Sequence, residues 1–237
     1  MTKHEFFRDR DNYIKVGNKI YRREYANPQR LYMDPVEKGV FQNKFGFRTS
    51  DYELLPEFTG FKCLPSHLDY QQVIDEEFWN TYERVDLNPT PGEWPTIEKL
   101  INHLYGANGI EPDQREELYD YHTIMLKWPL QSLFVRVLYS YVQGTSKTTL
   151  GTLENMMFGG NYAKVRDEEM EDKFNELWAE ALIIHMDEPM FNNKLKVSRK
   201  IRDMATQKQI NVRRMQSSAK PQPFFAKILI TTNDTDF

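Results

Sequence analysis

A small set of residues in this chain has the side chains that nucleotide hydrolysis requires. They are Lys147, Thr148, Asp187, Glu188 and Asn233. A lysine ammonium neutralises phosphate charge, a threonine hydroxyl and an aspartate carboxylate are oxygen ligands for Mg²⁺, and a glutamate carboxylate polarises an attacking water. A side-chain amide can sense the outermost phosphate. These types predict an ATP- and magnesium-dependent site, provided that the fold brings the five together.

The stretch that leads into Lys147 predicts a phosphate-binding loop. A buried strand rich in Val, Leu, Phe and Tyr is expected at 133–139, followed by a turn of small and polar residues and a helix that begins at Lys147. In such a loop the backbone amides and the helix N-terminus point at the phosphates. We therefore expect nucleotide contacts from Gln143, Gly144, Thr145, Ser146, Lys147, Thr148 and Thr149.

The loop departs from the general pattern G-x-x-x-x-G-K-[ST]. Its two glycine positions hold Tyr141 and Ser146. Taken alone, the string Gly-Thr-Ser-Lys-Thr-Thr is also typical of an ordinary solvated turn that caps a helix. The nucleotide interpretation therefore depends on the polar residues that end later strands of the chain.

Two further apolar strands are predicted, and each ends in polar residues. Strand 181–188 ends in Asp187 and Glu188, and strand 224–234 has Asn233 near its end. Ligand sites of parallel sheets form at the carboxyl ends of the strands. We expect Asp187 to hold magnesium, Glu188 to polarise water and Asn233 to sense the outer phosphate. The alternative is a strand that ends in an ordinary polar turn.

The segment 194–220 is strongly basic in a chain of net charge −4. Its excess of about eight positive charges suits a polyanion. A helix is predicted first, then a strand and turn that carry Arg213 and Arg214 on a projecting hairpin. We expect Lys208, Arg213 and Arg214 to contact nucleic acid. A basic surface or a subunit contact is the alternative.

Composition excludes several classes of protein. The overall charge and a pI of about 5.8 argue against a chain that coats nucleic acid over its whole surface. Cys63 is the only cysteine of the 237 residues, which excludes an internal disulfide and fits a reducing compartment, so the cytoplasm is expected. No long apolar run or secretory leader is found, and we expect no membrane partner.

Three regions are predicted along the chain. Residues 1–64 form a small β-rich appendage with a hairpin at Gly17-Asn18. Residues 65–130 form an irregular and then helical linker region. Residues 131–237 form an α/β core with a mainly parallel sheet.

Helices are expected at 96–106 behind a Thr cap, at 117–128 and at 166–180. The third has its apolar residues on one face, namely Met170, Phe174, Leu177 and Trp178. Its acidic run is interpreted as a solvated face rather than a metal site. His103 and His122 have no second ligand at metal spacing and are interpreted as packing or surface residues.

Several stretches, taken in order, resemble superfamily 3 helicases, the AAA+ type found in viruses, phages and plasmids, and specifically the phage primase-helicase branch. VLYSYVQGTSKTTL resembles the Walker A motif, ALIIHMDE the Walker B motif and ITTND motif C. The run from Ala205 to Asp234 is similar to the basic B-prime segment that leads into motif C. The resemblance covers roughly 115–237.

The resemblance implies a P-loop NTPase fold, ATP and Mg²⁺ as ligands, and a hexamer with single-stranded DNA in its channel. It implies that Lys147 and Thr148 bind phosphate and magnesium, that Asp187 and Glu188 serve magnesium and water, and that Asn233 senses the γ-phosphate. Lys208, Arg213 and Arg214 would lie near the DNA-contacting loop. The family continues beyond motif C into a further strand and an arginine finger, whereas this chain stops at Phe237.

Three functional hypotheses fit these features. The first is an ATP-driven DNA helicase of a phage or mobile element. The second is a DNA-binding replication module that keeps the fold but has lost turnover, which Ser146 and the missing finger would favour. The third is a P-loop enzyme acting on a small molecule, which the basic 194–220 segment disfavours.

Overall fold

The protein has a mixed α/β fold, seen here in a computed structural model. The structure describes residues 12–26, 30–37, 39, 42–43, 53–85, 90–107, 112–189, 194–213 and 219–234. Its strands are β1 (Tyr13–Val16), β2 (Lys19–Ala26), β3 (Arg30–Val36), β4 (Glu57–Phe58), β5 (Gly60–Lys62), β6 (Val73–Ile74), β7 (Phe78–Asn80), β8 (Arg136–Tyr139), β9 (Tyr162–Lys164), β10 (Ile183–Asp187), β11 (Gln209–Val212), β12 (Lys220–Pro223) and β13 (Lys227–Thr232). Its helices are α1 (Pro95–Tyr105), α2 (Arg115–Lys127), α3 (Lys147–Phe158), α4 (Asp167–Glu171), α5 (Glu176–Ala179) and α6 (Lys194–Thr206).

The predicted N-terminal hairpin is present. β1 and β2 pair antiparallel on either side of Gly17 and Asn18, and Gly17 has a φ of +58°. The sheet continues in the order β3-β2-β1-β4, and β5, β7 and β6 form a second small sheet. The division of the chain at 64 and 130 stays a prediction.

A parallel sheet in the order β8-β13-β10-β9 forms the centre of the C-terminal half. β10 and β13 are its inner strands and are buried almost throughout, which is why their sequences are near-continuous apolar runs. Because all four strands point the same way, their carboxyl ends meet at one edge of the sheet.

The strand expected at 133–139 is shorter and less buried than predicted. β8 begins only at Arg136 and is an edge strand, so Val137 is 44% and Tyr139 is 40% exposed. Among the described residues, its partner in the sheet is β13. The apolar composition therefore predicted the strand correctly but overestimated its burial.

The single helix expected at 166–180 is divided into α4 and α5. The chain is extended at Asp172, and the predicted apolar face is split, because Met170 and Trp178 are buried whereas Phe174 is 44% and Leu177 is 51% exposed. At the break Asp172 Oδ1 accepts from the Phe174 amide at 3.3 Å, and Asn175 directly precedes α5. Its side chain bonds backbone groups of a neighbouring strand, a competing use of an Asn amide that disfavours helix.

The helices that precede the sheet lie close to their predicted positions. α1 ends at Tyr105 with Gly106 as its C-cap, as expected, but it begins at Pro95, ahead of the predicted Thr cap. α2 ends at Lys127, shortly before Pro129.

Two apolar clusters cover the two faces of the parallel sheet. Alternate residues of β10 enter different clusters, with Ile184 and Met186 on one face and Ile183 on the other. The first cluster includes residues of α4, α5 and α6, and the second includes Tyr121 and Met125 of α2. Within the described part of the chain, no helix combines the length and apolar character that crossing a bilayer requires.

Candidate functional site

The loop between β8 and α3 turns through two residues with left-handed backbone. Gly144 has a φ of +75° and Ser146 a φ of +61°. This conformation costs a residue with a Cβ about 1–2 kcal/mol, so glycine is the usual choice. Ser146 therefore adopts the backbone geometry that glycine usually provides. The Ser in place of Gly at this position leaves the left-handed turn of the loop in place.

Lys147, the first residue of α3, is buried but has only neutral partners. Its residue exposure is 6%, and its Nζ donates to Thr145 Oγ1 at 3.0 Å and to Asn233 Oδ1 at 2.7 Å. Among the described residues it takes part in no ion pair. A buried ammonium is costly without a compensating charge, so this position favours an anionic ligand.

The N-terminus of α3 adds positive potential at the same place. The helix has no acidic residue in its first turn, and the Ser146 side chain makes no capping hydrogen bond. The first amides of a helix lack partners within the helix, and the helix dipole favours negative charge there. The lysine and the helix terminus thus favour the same kind of ligand.

Asp187 ends β10 and accepts hydrogen bonds at both carboxylate oxygens. Thr148 Oγ1 at 3.0 Å and Thr231 Oγ1 at 2.6 Å donate to Oδ1, and Lys164 Nζ donates to Oδ2 at 2.7 Å. Partial burial alone would raise the pKa of Asp187. The bonds from Lys164, Thr231 and Thr148 outweigh that effect and hold the pKa below its usual value, so the side chain is a carboxylate at neutral pH.

The Asn233 amide joins Lys147 to Glu188. Its Oδ1 accepts from Lys147, while its Nδ2 donates to Glu188 Oε1 at 2.5 Å and its backbone N–H donates to Oε2 at 3.1 Å. Lysine only donates and a carboxylate only accepts, so the orientation of the amide is fixed by its partners. Glu188 itself has a φ of +47°. Asn233 is thus in contact with both a cation and an anion of the site.

These side chains border one pocket of about 270 Å³. Its lining residues are Gly144, Thr145, Ser146, Lys147, Thr148, Thr149, Glu188 and Asn233. Asp187 adjoins the pocket through its bond to Thr148. Gln143, also expected to contact nucleotide, is exposed and does not line the pocket. The residues proposed for phosphate and water chemistry therefore lie together, although as many as 86 positions separate Lys147 from Asn233.

The donor set fits magnesium of the kind that arrives with a nucleotide. Among the described residues no group of three or more His, Cys, Asp or Glu side chains forms a metal cage. Mg²⁺ bound to nucleotides needs only one or two protein oxygens, because phosphates and waters fill its other positions. Thr148 can donate its proton to Asp187 and still offer an oxygen lone pair to the ion.

Two residues that contact Asp187 are not among those predicted from the sequence. Lys164 lies at the end of β9 and Thr231 within β13, in register with Asp187. A single lysine after a short strand has no distinguishing pattern, and Thr231 occurs inside an apolar run. The parallel pairing of the strands, rather than any motif, brings them to the site.

Of the three basic residues proposed for nucleic acid, the structure describes Lys208 and Arg213. Lys208 precedes β11 and Arg213 follows it, so a strand separates two exposed side chains. Arg214 lies outside the described residues. β11 and β12 pair antiparallel, and the backbone just after β11 is held by a hydrogen bond. The Arg213 amide donates to Asn175 Oδ1 at 2.8 Å. Arg213 is therefore anchored to the body of the protein at its backbone.

Comparison with known proteins finds a family model that matches part of the chain and solved structures with a similar fold. A model described as "Family of unknown function (DUF5906)" matches residues 138–237. No curated protein matches the chain. The apo structure of the NrS-1 C-terminal region (305–718) is similar with a TM-score of 0.71 and 15% identity, over 94% of this chain and 54% of that chain. A second structure of that region, in an A form, has a TM-score of 0.66 and 16% identity, over 90% and 51%.

At these identities the similarity is one of fold. This chain spans about half the length of the NrS-1 structures. The family match covers both the loop before α3 and the ends of β10 and β13, so it includes every residue that lines the pocket.

Proposed function

We propose that this chain is the core of an ATP-dependent DNA helicase of the replicative, phage or mobile-element primase-helicase type. The observation that carries the proposal is the buried Lys147, which bonds only neutral partners among the described residues and lies at a helix N-terminus beside a pocket. A nucleotide triphosphate supplies the missing negative charge. The motif order that resembles superfamily 3 helicases and the fold shared with the NrS-1 C-terminal region add support.

Each residue of the site has a role in this proposal. The amides of 144–148 and the Lys147 ammonium bind the β- and γ-phosphates. Thr148 and Asp187 hold magnesium, which when bound neutralises phosphate charge. Glu188 orients the attacking water and accepts its proton.

Asn233 links phosphate binding to the catalytic carboxylate. A phosphate that binds Lys147 competes with the Asn233 Oδ1 for the ammonium protons, and the amide is then released to bond the γ-phosphate. In the structure both Glu188 oxygens accept hydrogen bonds from Asn233. The same movement of Asn233 would free one or both of them. Hydrolysis would thereby begin only when a triphosphate is in place.

The basic residues after α6 are the proposed contacts with single-stranded DNA. Lys208 and Arg213 are exposed, and Arg214 follows directly in the sequence. Phosphate contacts by such side chains are independent of base sequence and weaken with salt. A hexamer that encircles the strand is proposed from the resemblance to superfamily 3.

The phosphate site is tested by Lys147→Met, with Lys99→Met on the exposed face of α1 as the matched control. We expect the first variant to bind a fluorescent ATP analogue more weakly, because a phosphate contact is lost, and to lose ATPase activity by at least about 100-fold, since the lysine acts on transition-state charge. The control should keep both. Equal nucleotide binding by the Lys147→Met protein and the wild type would refute the proposed site.

The DNA contacts are tested by Arg213→Gln, with the exposed Arg84→Gln as control. The first variant should weaken binding of an oligo-dT strand and reduce the slope of log affinity against log salt by about 0.7, as expected for one lost phosphate contact. An unchanged salt slope would remove Arg213 from the interface.

A second candidate function is a DNA-binding replication module without turnover. It is favoured by the two hydrogen bonds with which Asn233 engages both oxygens of Glu188. In that case the wild type binds nucleotide and DNA, but ATP hydrolysis does not exceed that of Glu188→Gln. A clear difference between the two proteins would exclude this candidate.

A further inference from the structure

A buried chain of hydrogen bonds leads from the interior of the sheet to Asp187. The Tyr162 hydroxyl lies 2.5 Å from His185 Nδ1, His185 Nε2 lies 3.0 Å from Thr231 Oγ1, and Thr231 Oγ1 lies 2.6 Å from Asp187 Oδ1. Tyr162 is 2%, His185 1% and Thr231 0% exposed. The three come from the neighbouring strands β9, β10 and β13.

The chemistry of the end group fixes the direction of every bond. Asp187 is a carboxylate and only accepts, so the Thr231 hydroxyl donates to it. The Thr231 oxygen must then accept from His185 Nε2–H. The Tyr162 hydroxyl lies at His185 Nδ1, and an imidazole that carries its hydrogen on Nε2 accepts at Nδ1 from that hydroxyl. Each group has one possible orientation.

Helix α3 holds the imidazole in place from outside. A Cβ on Gly151 would lie 2.4 Å from His185 Nδ1 and Cε1 and 2.8 Å from the Tyr162 hydroxyl oxygen. Only a residue without a side chain allows this approach. The helix that begins with Lys147 therefore packs directly on the hydrogen-bond chain that ends at Asp187.

We propose that Tyr162, His185 and Thr231 form a positioning relay that fixes the Asp187 carboxylate for magnesium, with His185 donating to Thr231 from Nε2–H. The inference rests on the proposed function for its metal, whereas the tautomer and the bond directions belong to the protein alone. Tyr162, His185 and Thr231 act through Asp187 and touch neither metal nor nucleotide.

The relay differs in kind from the other contacts of Asp187. Lys164 is partly exposed, with a side-chain exposure of 43%, and Thr148 is itself a proposed magnesium ligand. Thr231 is the one donor among these that is fully enclosed and has no other function. Outer-shell partners of this kind typically change metal affinity or activity by about 10- to 100-fold when removed.

The test compares Thr231→Val, which keeps the shape and removes the hydroxyl, with Thr231→Ser, which keeps the hydroxyl. Binding of a fluorescent ATP analogue is measured in EDTA and during a Mg²⁺ titration. We expect Thr231→Val to bind the analogue in EDTA as the wild type does, within about twofold, and to need about 10- to 100-fold more Mg²⁺ at the midpoint. Thr231→Ser should restore the wild-type midpoint.

A purely structural role would give a different result, because Thr231→Val would then weaken binding equally with and without magnesium. That result, or an unchanged Mg²⁺ midpoint, would overturn the relay. If the wild type shows no magnesium-dependent binding at all, the proposed function fails, and the metal-positioning role fails with it.

The tautomer is tested without any ligand. Nitrogen-15 NMR of the imidazole groups distinguishes Nε2–H from Nδ1–H, and His185→Gln assigns the signal. We expect Nε2–H in the wild type at pH 7. An Nδ1–H signal for His185 would refute the relay whether or not the protein binds ATP.

Discussion

Replacing Glu154 by Gln should destabilise the protein strongly. Glu154 lies on α3 with a side-chain exposure of 0%, and Arg136 at the start of β8 is 5% exposed. Arg136 donates from Nη1 to Oε1 at 2.5 Å and from Nη2 to Oε2 at 2.9 Å, and His122 Nε2 lies 3.0 Å from Oε1. This pair connects the strand before the candidate phosphate loop to the helix after it.

The expected magnitude follows from leaving one charge buried and unpaired. Removing one partner of a buried ion pair costs about 3–5 kcal/mol. Gln keeps the shape and one acceptor oxygen, so the lower end of that range is expected for Glu154→Gln. Arg136→Met combined with Glu154→Leu removes both charges and should recover most of the loss, because apolar replacement of a buried pair is often neutral or stabilising.

Urea unfolding followed by circular dichroism measures these changes, with the exposed Met156→Gln on the same helix as control. The control should change the free energy of unfolding by less than about 0.5 kcal/mol. A loss below about 1 kcal/mol for Glu154→Gln, or a double variant less stable than Glu154→Gln, would contradict the reasoning.

The pH dependence gives an independent check. Burial alone would raise the pKa of Glu154, but the Arg136 charge and the bonds from His122 and Arg136 hold it below the ordinary value of 4.5. The stabilisation is therefore present above pH 4.5 and is lost as the pH falls below that value. The difference in stability between wild type and Glu154→Gln should narrow on acidification, and a constant difference would argue against the pair.

Three further changes have defined outcomes. Gly151→Ala places a methyl group against the His185 ring and should lower the free energy of unfolding by about 1–3 kcal/mol in a urea titration, so an unchanged midpoint would contradict the close packing. Asn175→Ala removes the acceptor of the Arg213 amide and should speed hydrogen exchange at that amide, whereas equal exchange would show that the anchor is dispensable. Burial lowers the pKa of Lys227 from 10.5 to about 7. Between these two pH values the Lys227 amine is protonated in the unfolded chain but neutral in the folded protein, so the free energy of unfolding should rise with pH. Lys227→Met should lack that rise, and an identical pH profile would refute the assignment.

The strands that position the site were predictable from the sequence, because the polar site residues follow directly after apolar runs. Strands at 181–188 and 224–234 were found within a few residues as β10 and β13. Parallel pairing then brings Asp187, Glu188 and Asn233 near Lys147, as the rule for carboxyl ends of strands requires.

Other features depend on contacts that no local pattern contains. The exposure of β8 follows from its place at the sheet edge, and at the break between α4 and α5 the side chains of Asp172 and Asn175 bond backbone groups outside a helix. The Arg136–Glu154 pair joins residues 18 positions apart on different elements. His185 stands in an apolar strand, where its sequence gives no sign of the hydroxyl groups on either side.

Binding of a nucleotide triphosphate by Lys147 and its neighbours is tested most directly by a crystal structure with Mg²⁺ and a non-hydrolysable ATP analogue. We expect Lys147 Nζ to leave Asn233 Oδ1 and lie about 3 Å from β- or γ-phosphate oxygens. Thr148 should then lie beside the metal, with the amides of 144–148 around the phosphates. An analogue bound elsewhere, or Lys147 still bonded to Asn233 at saturating analogue, would contradict the proposed phosphate site.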